Sequence, residues 1–88
     1  MYREISVWER MSAGGLVRYR CLESLSDGRF CVQSADFYRE SRDYKEQNQE
    51  FFNQFVTLFA EDFPEVRSKM FKSLQEAIDA HKREFDEA

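Results

Sequence analysis

The sequence predicts an α+β fold: a small antiparallel β-hairpin or three-stranded sheet followed by two α-helices packed on one face. Three observations predict it. Two stretches rich in β-branched and aromatic residues flank the dipeptide Asp27-Gly28. A long run of aromatic residues at helical spacing follows them. A shorter amphipathic run then closes the chain behind a serine and a glutamate three residues apart. A hairpin alone is marginal in water, so the helices are expected to cover it.

Tyr2 to Trp8 holds Ile5 and Val7 and reads as a first strand, about residues 2–8. Ser12-Ala13-Gly14-Gly15 breaks it. Residues 16–25 and 29–34 read as the arms of a hairpin, with Asp27-Gly28 as a two-residue turn needing φ > 0. That turn pairs Leu25 with Phe30, Glu23 with Val32 and Cys21 with Ser34. One face then carries Val17, Tyr19, Cys21, Leu25, Phe30 and Val32. The other carries Arg18, Arg20, Leu22, Ser24, Cys31 and Gln33. The separation of apolar from polar supports the register, because a slip of one residue would scramble it.

The first helix is expected over about residues 41–62. Tyr44, Phe51, Phe52, Phe55, Val56, Leu58, Phe59 and Phe63 fill an arc of roughly 160° at 100° per residue. Phe37 lies on the same arc, which allows a start nearer Asp36. Asn48 lies inside it and needs hydrogen-bond partners if buried. Asp62-Phe63-Pro64 ends the helix. Ser73-Leu74-Gln75-Glu76 matches a capping box for a second helix, about residues 74–86, with Leu74, Ala77, Ile78, His81 and Phe85 on one side. Val66 to Lys72 is either a backward extension of this helix or a link.

A length of 88 residues suits a single domain, 1–88. Nine phenylalanines in a chain that is 16% aromatic argue for a packed core rather than a disordered chain. The net charge is −4, and the acidic excess lies in the second half; the first half balances seven arginines against seven acids. An acidic total argues against non-specific binding to nucleic acid or anionic lipid. There is no run of 18 apolar residues and no apolar stretch behind Met1. The expectation is a cytoplasmic protein without a membrane partner, its two cysteines reduced.

Most catalytic chemistries find no constellation here. Gly14-Gly15 precedes a strand rather than a helix, so it is not a phosphate loop. Cys21, Cys31 and His81 lack the paired spacing of a structural zinc site. The same three residues lack the mutual reach that thiol catalysis needs, and His81 sits on an apolar helix face. No metal and no cofactor is expected, and no catalytic residue can be named. Glu23 stands out as an acid on an apolar face. Arg18-Tyr19-Arg20 places two guanidinium forks on one side of a strand, a pattern that suits carboxylates or phosphates.

The function expected is that of a small protein–protein interaction or regulatory protein, such as an adaptor, inhibitor or subunit. Candidate binding residues are Arg18, Arg20, Arg29 and Gln33. A nucleic-acid-binding regulator using Arg18, Arg20 and Arg29 is the alternative, and a small enzyme using a carboxylate or thiol is a second one. The aromatic arc is wider than one contact stripe of about 100°. Its flank, Phe52, Val56 and Phe63, is therefore the candidate interface, either for a homodimer or for another protein.

If the second helix starts at Ser73, Ser73→Ala costs about 0.5–2 kcal/mol, the loss for an N-cap. If the helix ran unbroken from Pro64, alanine there would be neutral or stabilising. Chemical denaturation of the variant decides between the two.

Overall fold

Three antiparallel strands, β1 (Tyr2–Arg10), β2 (Leu16–Ser24) and β3 (Phe30–Tyr38), form a meander in the order β1-β2-β3. Three helices follow: α1 (Tyr44–Glu61), the single turn α2 (Pro64–Arg67) and α3 (Leu74–Phe85). The structure is a computed structural model, and it describes residues 1–85. The expected end of the last helix at residue 86 lies outside the described residues.

The α+β class and the three-stranded sheet agree with the sequence; the placement of the helices does not. The helices lie on opposite faces of the sheet, so the expectation of one shared face is corrected. Val17, Tyr19, Cys21 and Val32 pack with Ala77 and Ile78 of α3, flanked by Ile5, Val7, Phe30 and Leu74. Leu22 and Cys31 pack with Phe55 of α1, flanked by Tyr2 and Met70. Cys21 and Leu22 are neighbours on one strand and point to opposite faces, so the two clusters are two cores. The second face is largely polar in sequence. It closes under α1 because its charged groups are paired within it, as described below.

The hairpin register also differs. Glu23 faces Phe30 and Cys21 faces Val32, two residues away from the pairing that a two-residue turn would set. The connection is longer: Gly28 N donates to Ser24 O at 2.8 Å, and Gly28 holds φ at +70°. A shift of two is a whole pleat period, so the side chains keep their faces. Leu25 leaves the sheet and is exposed. A β-bulge follows, because Arg20 pairs with Ser34 while Cys21 pairs with Val32. Gln33 is the extra residue. Beyond it the parity of β3 flips, so Ala35 joins Tyr19 on one face and Asp36 joins Arg18 on the other.

β3 runs to Tyr38 instead of stopping near residue 34, because Leu16, Val17 and Arg18 remain available as partners. Phe37 is therefore a strand residue, and α1 begins later than expected. Asp43 caps it, accepting from Lys45 N at 2.7 Å and Glu46 N at 3.3 Å. At the other end of β2, Gly15 has φ +87°, and a Cβ there would stand 2.6 Å from the Tyr38 carbonyl oxygen. Only glycine fits that crossing.

Pro64 opens α2 at the first helical position. Phe71 then exchanges two backbone hydrogen bonds of 2.7 Å with Phe30, so the link before α3 runs beside β3. Glu76 N donates to Ser73 Oγ at 3.1 Å, which places the start of α3 at the expected cap.

Cys21 and Cys31 are free and wholly buried, one in each core. Burial pushes the Cys21 thiol up to about 12 and the Cys31 thiol up to about 11, from an ordinary 9.0. Both acids stay neutral longer in the folded chain than in the unfolded one. Their contribution to stability is therefore present below about pH 9 and falls as pH rises towards 11–12. Denaturation at stepped alkaline pH should show that decline, and Cys21→Ala should flatten it. At pH 8, a thiol reagent should label both cysteines only after unfolding.

Candidate functional site

The arginines singled out in the sequence do not make a shared surface. Arg20 is fully buried beneath α1. Its Nε donates to Asp36 Oδ2 at 2.5 Å and its Nη1 to Glu4 Oε1 at 3.4 Å. Its guanidinium lies 5.4 Å from the ring centre of Phe55 and 5.8 Å from that of Phe52. Ser34 Oγ donates to the other oxygen of Asp36 at 3.2 Å. This is an internal ion pair, satisfied on the carboxylate side, with aromatic rings over the cation.

Arg18 sits at the margin of the same layer. It donates to Ser6 Oγ at 2.9 Å and to Asn48 Oδ1 at 3.0 Å, and it stacks 5.1 Å over Trp8. Asn48 Oδ1 also accepts from Tyr38 OH at 3.0 Å. The asparagine inside the aromatic arc thus finds its partners, and it fixes α1 to both β2 and β3. Arg29 lies at the hairpin tip, paired with Asp27 at 2.8 Å. Glu23 pairs with Arg3 across β1 and β2, which accounts for an acid on an otherwise apolar face.

What α1 leaves outside is apolar. Phe52 is 45% exposed, Val56 46%, Phe59 40% and Phe63 72%. Phe52, Val56 and Phe59 recur at intervals of four and three, which is one line along α1, and Phe63 follows just past its end, in the extended position that precedes α2. The sheet-facing side of α1 is taken by Gln47 and Phe55, both buried. Gln47 anchors the helix start by accepting from Arg39 N at 2.7 Å and donating to Arg39 O at 2.9 Å. Val66, 71% exposed, extends the line beyond the helix. Tyr2 borders it: its ring meets Phe59 edge-on at 5.9 Å, and its hydroxyl donates to the Glu65 carboxylate at 2.6 Å. That hydrogen bond pushes the Tyr2 phenol up to about 12.

Phe59, which the spacing places on the aromatic arc but not on its candidate flank, and Val66 belong to this patch. A signal for Phe59 exists in the sequence. From Phe51 to Ala60 the chain carries no charge, in a protein that is 34% charged. Depletion of charge together with enrichment in aromatics is the compositional mark of an interface core.

Gln33, the bulge residue, is 7% exposed, and neither of its amide atoms has a hydrogen-bond partner among the described residues. It lines a cavity of about 540 Å³ between β3, the 67–71 segment and α3. His81 lies in the same wall, its ring 5.9 Å from Tyr19 and 4.6 Å from Phe85. Both thiols lie inside the cores, away from this cavity's lining.

Compared with protein-family models, curated proteins and solved structures, the chain matches none. No helix among the described residues is long and apolar enough to cross a membrane. The functional reading therefore rests on these surfaces.

Removing Asp36 would leave Arg20 charged and unpaired in the interior. Asp36→Ala is expected to lose about 3–5 kcal/mol, whereas the double replacement Arg20→Met with Asp36→Leu should recover most of that loss. A thermodynamic cycle over Arg20→Met, Asp36→Leu and their double variant measures the coupling. A single-variant loss near that of an exposed pair would show that the guanidinium reaches water.

Proposed function

We propose that this chain is a small interaction protein that acts through the exposed line on α1, and that a second copy is its occupant. The observation that carries the reading is the row Phe52, Val56 and Phe59 standing out of an uncharged helix segment, with Phe63 exposed just beyond it. With about 200 Å² for a whole phenylalanine, the three rings leave on the order of 300 Å² of aromatic surface in water. A contiguous patch of that kind, rimmed by polar groups, is typical of an association site.

The spacing supports self-pairing. Phe52, Val56 and Phe59 lie on one stripe of α1, and Phe63 stands just beyond its end. An antiparallel copy would set Phe52 against Phe59 with Val56 close to the two-fold axis, the self-complementary match that a two-fold contact needs. Burying both patches is worth at most roughly 15 kcal/mol at 25 cal/mol/Å². Association costs about 4–15 kcal/mol, so a dimer in the micromolar range is the scale to test.

The nucleic-acid reading draws little support from the arginines. Arg20 is enclosed, and Arg18 and Arg29 are each tied to local partners.

Sedimentation of the full chain across micromolar concentrations should show reversible dimerisation. Phe59→Glu and Val56→Glu, both at exposed positions, should yield monomers with unchanged circular dichroism. A wild-type chain that stays monomeric through hundreds of micromolar would remove the second copy as occupant.

A further inference from the structure

We propose that the cavity beside the Gln33 bulge binds a small organic phosphate of the nucleoside monophosphate class. This site lies against α3, on the other side of the sheet from the α1 patch, and does not depend on that patch. Three features of its lining converge on that ligand.

The first is charge. Arg67, Lys69 and Arg83 stand around the cavity, against one carboxylate among the described residues, Glu84. None of the three cations forms an ion pair among the described residues, although the chain as a whole carries a net charge of −4. Elsewhere, Arg3, Arg18, Arg20, Arg29 and Arg42 are each paired with an acid, whereas Arg10 and Arg39 have no ion pair among the described residues. Here the guanidinium forks of Arg67 and Arg83 share one lining with the Lys69 ammonium, which lies 5.5 Å from the Phe71 ring centre, and none of the three is paired with an acid among the described residues, an arrangement that suits a phosphate.

The second is the hydrogen-bonding edge. A buried amide without partners loses its hydration and gains nothing in return, at a cost comparable to a lost hydrogen bond for each group. The bulge holds Gln33 in that condition, in the cavity wall. A carboxamide offers one donor and one acceptor side by side, which complements the paired donor and acceptor of a nucleobase or amide edge.

The third is an apolar bed for a flat ring. Val32, Ala77 and Ala80 supply small aliphatic surface, and Phe71 and Phe85 supply aromatic faces. Phe85 is 61% exposed and packs on the His81 ring, so its outer surface is open to stacking. The volume of about 540 Å³ lies within the range of small-molecule sites. A free phosphate would use the cations alone and leave the amide and the rings idle. A nucleoside would use those and leave the cations idle.

The test is a titration of the full-length, nitrogen-15-labelled chain with AMP, adenosine and inorganic phosphate, read by amide chemical shifts. AMP should move the signals of Gln33, Ala80, His81 and Phe85 saturably, with adenosine and phosphate each at least about tenfold weaker, as expected when one set of contacts is missing. Gln33→Leu, close in size, should weaken AMP about tenfold, and Arg83→Gln should bring the AMP response down towards that of adenosine. Phe59→Glu should leave AMP binding unchanged, which separates this site from the α1 patch. The proposal is overturned if millimolar AMP produces no saturable shift, or if phosphate alone reproduces the AMP response. It is equally overturned if Gln33→Leu binds as wild type. Should that variant fail to fold, unchanged AMP affinity in Arg83→Gln, an exposed position, overturns it as well.

Discussion

The buried pair of Arg20 and Asp36 is the constraint on which the arrangement of the layers rests. Where α1 and α3 cover the sheet, a charge on the central strand is cut off from water and must be neutralised internally. Arg20 lies on the central strand, with its guanidinium under α1. Left unpaired it would hold water against the sheet and keep α1 away. Bonded to Asp36 and Glu4, and covered by the rings of Phe52 and Phe55, it becomes part of the packing. A buried pair of this kind contributes little net stability over an apolar substitute. It does fix register, because only one alignment of β2 and β3 brings the two groups together.

That alignment depends on the bulge. In a regular strand, Val32 and Asp36 would lie on the same face, and the carboxylate would enter the core shared with α3. Inserting Gln33 reverses the parity. Val32 stays with Cys21 in the α3 core, and Asp36 crosses to the side of Arg20. Ala35 fills the place on the α3 side that the carboxylate would have taken. The same insertion leaves the Gln33 amide without a side-chain partner, in the wall of the cavity beside α3. One extra residue thus serves both the internal ion pair and the candidate ligand site.

The two helices divide the work unequally. α3 offers a narrow stripe, and Ala77 and Ile78 are buried in its core. α1 offers a wide arc, and the sheet is too small to cover it. Phe55 goes in, while Phe52, Val56 and Phe59 stay out. A sheet of three strands has room for one line of contact from a helix lying on it, so the flank of the arc must find water or a partner. The polar residues that hold α1 in place, Gln47 and Asn48, also set which flank that is. Their hydrogen bonds to Arg39 and Arg18 fix the helix rotation.

The α+β class, the three strands, the cap at Ser73 and the aromatic flank at Phe52, Val56 and Phe63 are written in the sequence, because each depends on local spacing. Alternation along a strand, a capping box and a helical stripe are short-range signals that survive without knowledge of the partner. The hairpin register was legible only to within a pleat period: the Asp27-Gly28 turn marks where the chain reverses, and the length of the loop is set by the pairing further in. The bulge, the extension of β3 to Tyr38, and the burial of Arg20 were decided by tertiary structure. Arginine, serine and glutamine alternating with leucine and cysteine read as a solvated face, since polar residues usually seek water. Only the approach of Asp36, brought across by a parity change that no local pattern announces, made it possible to close that face under a helix. Sequence spacing records which residues can share a side, whereas which sides meet depends on charges that find their partners across strands.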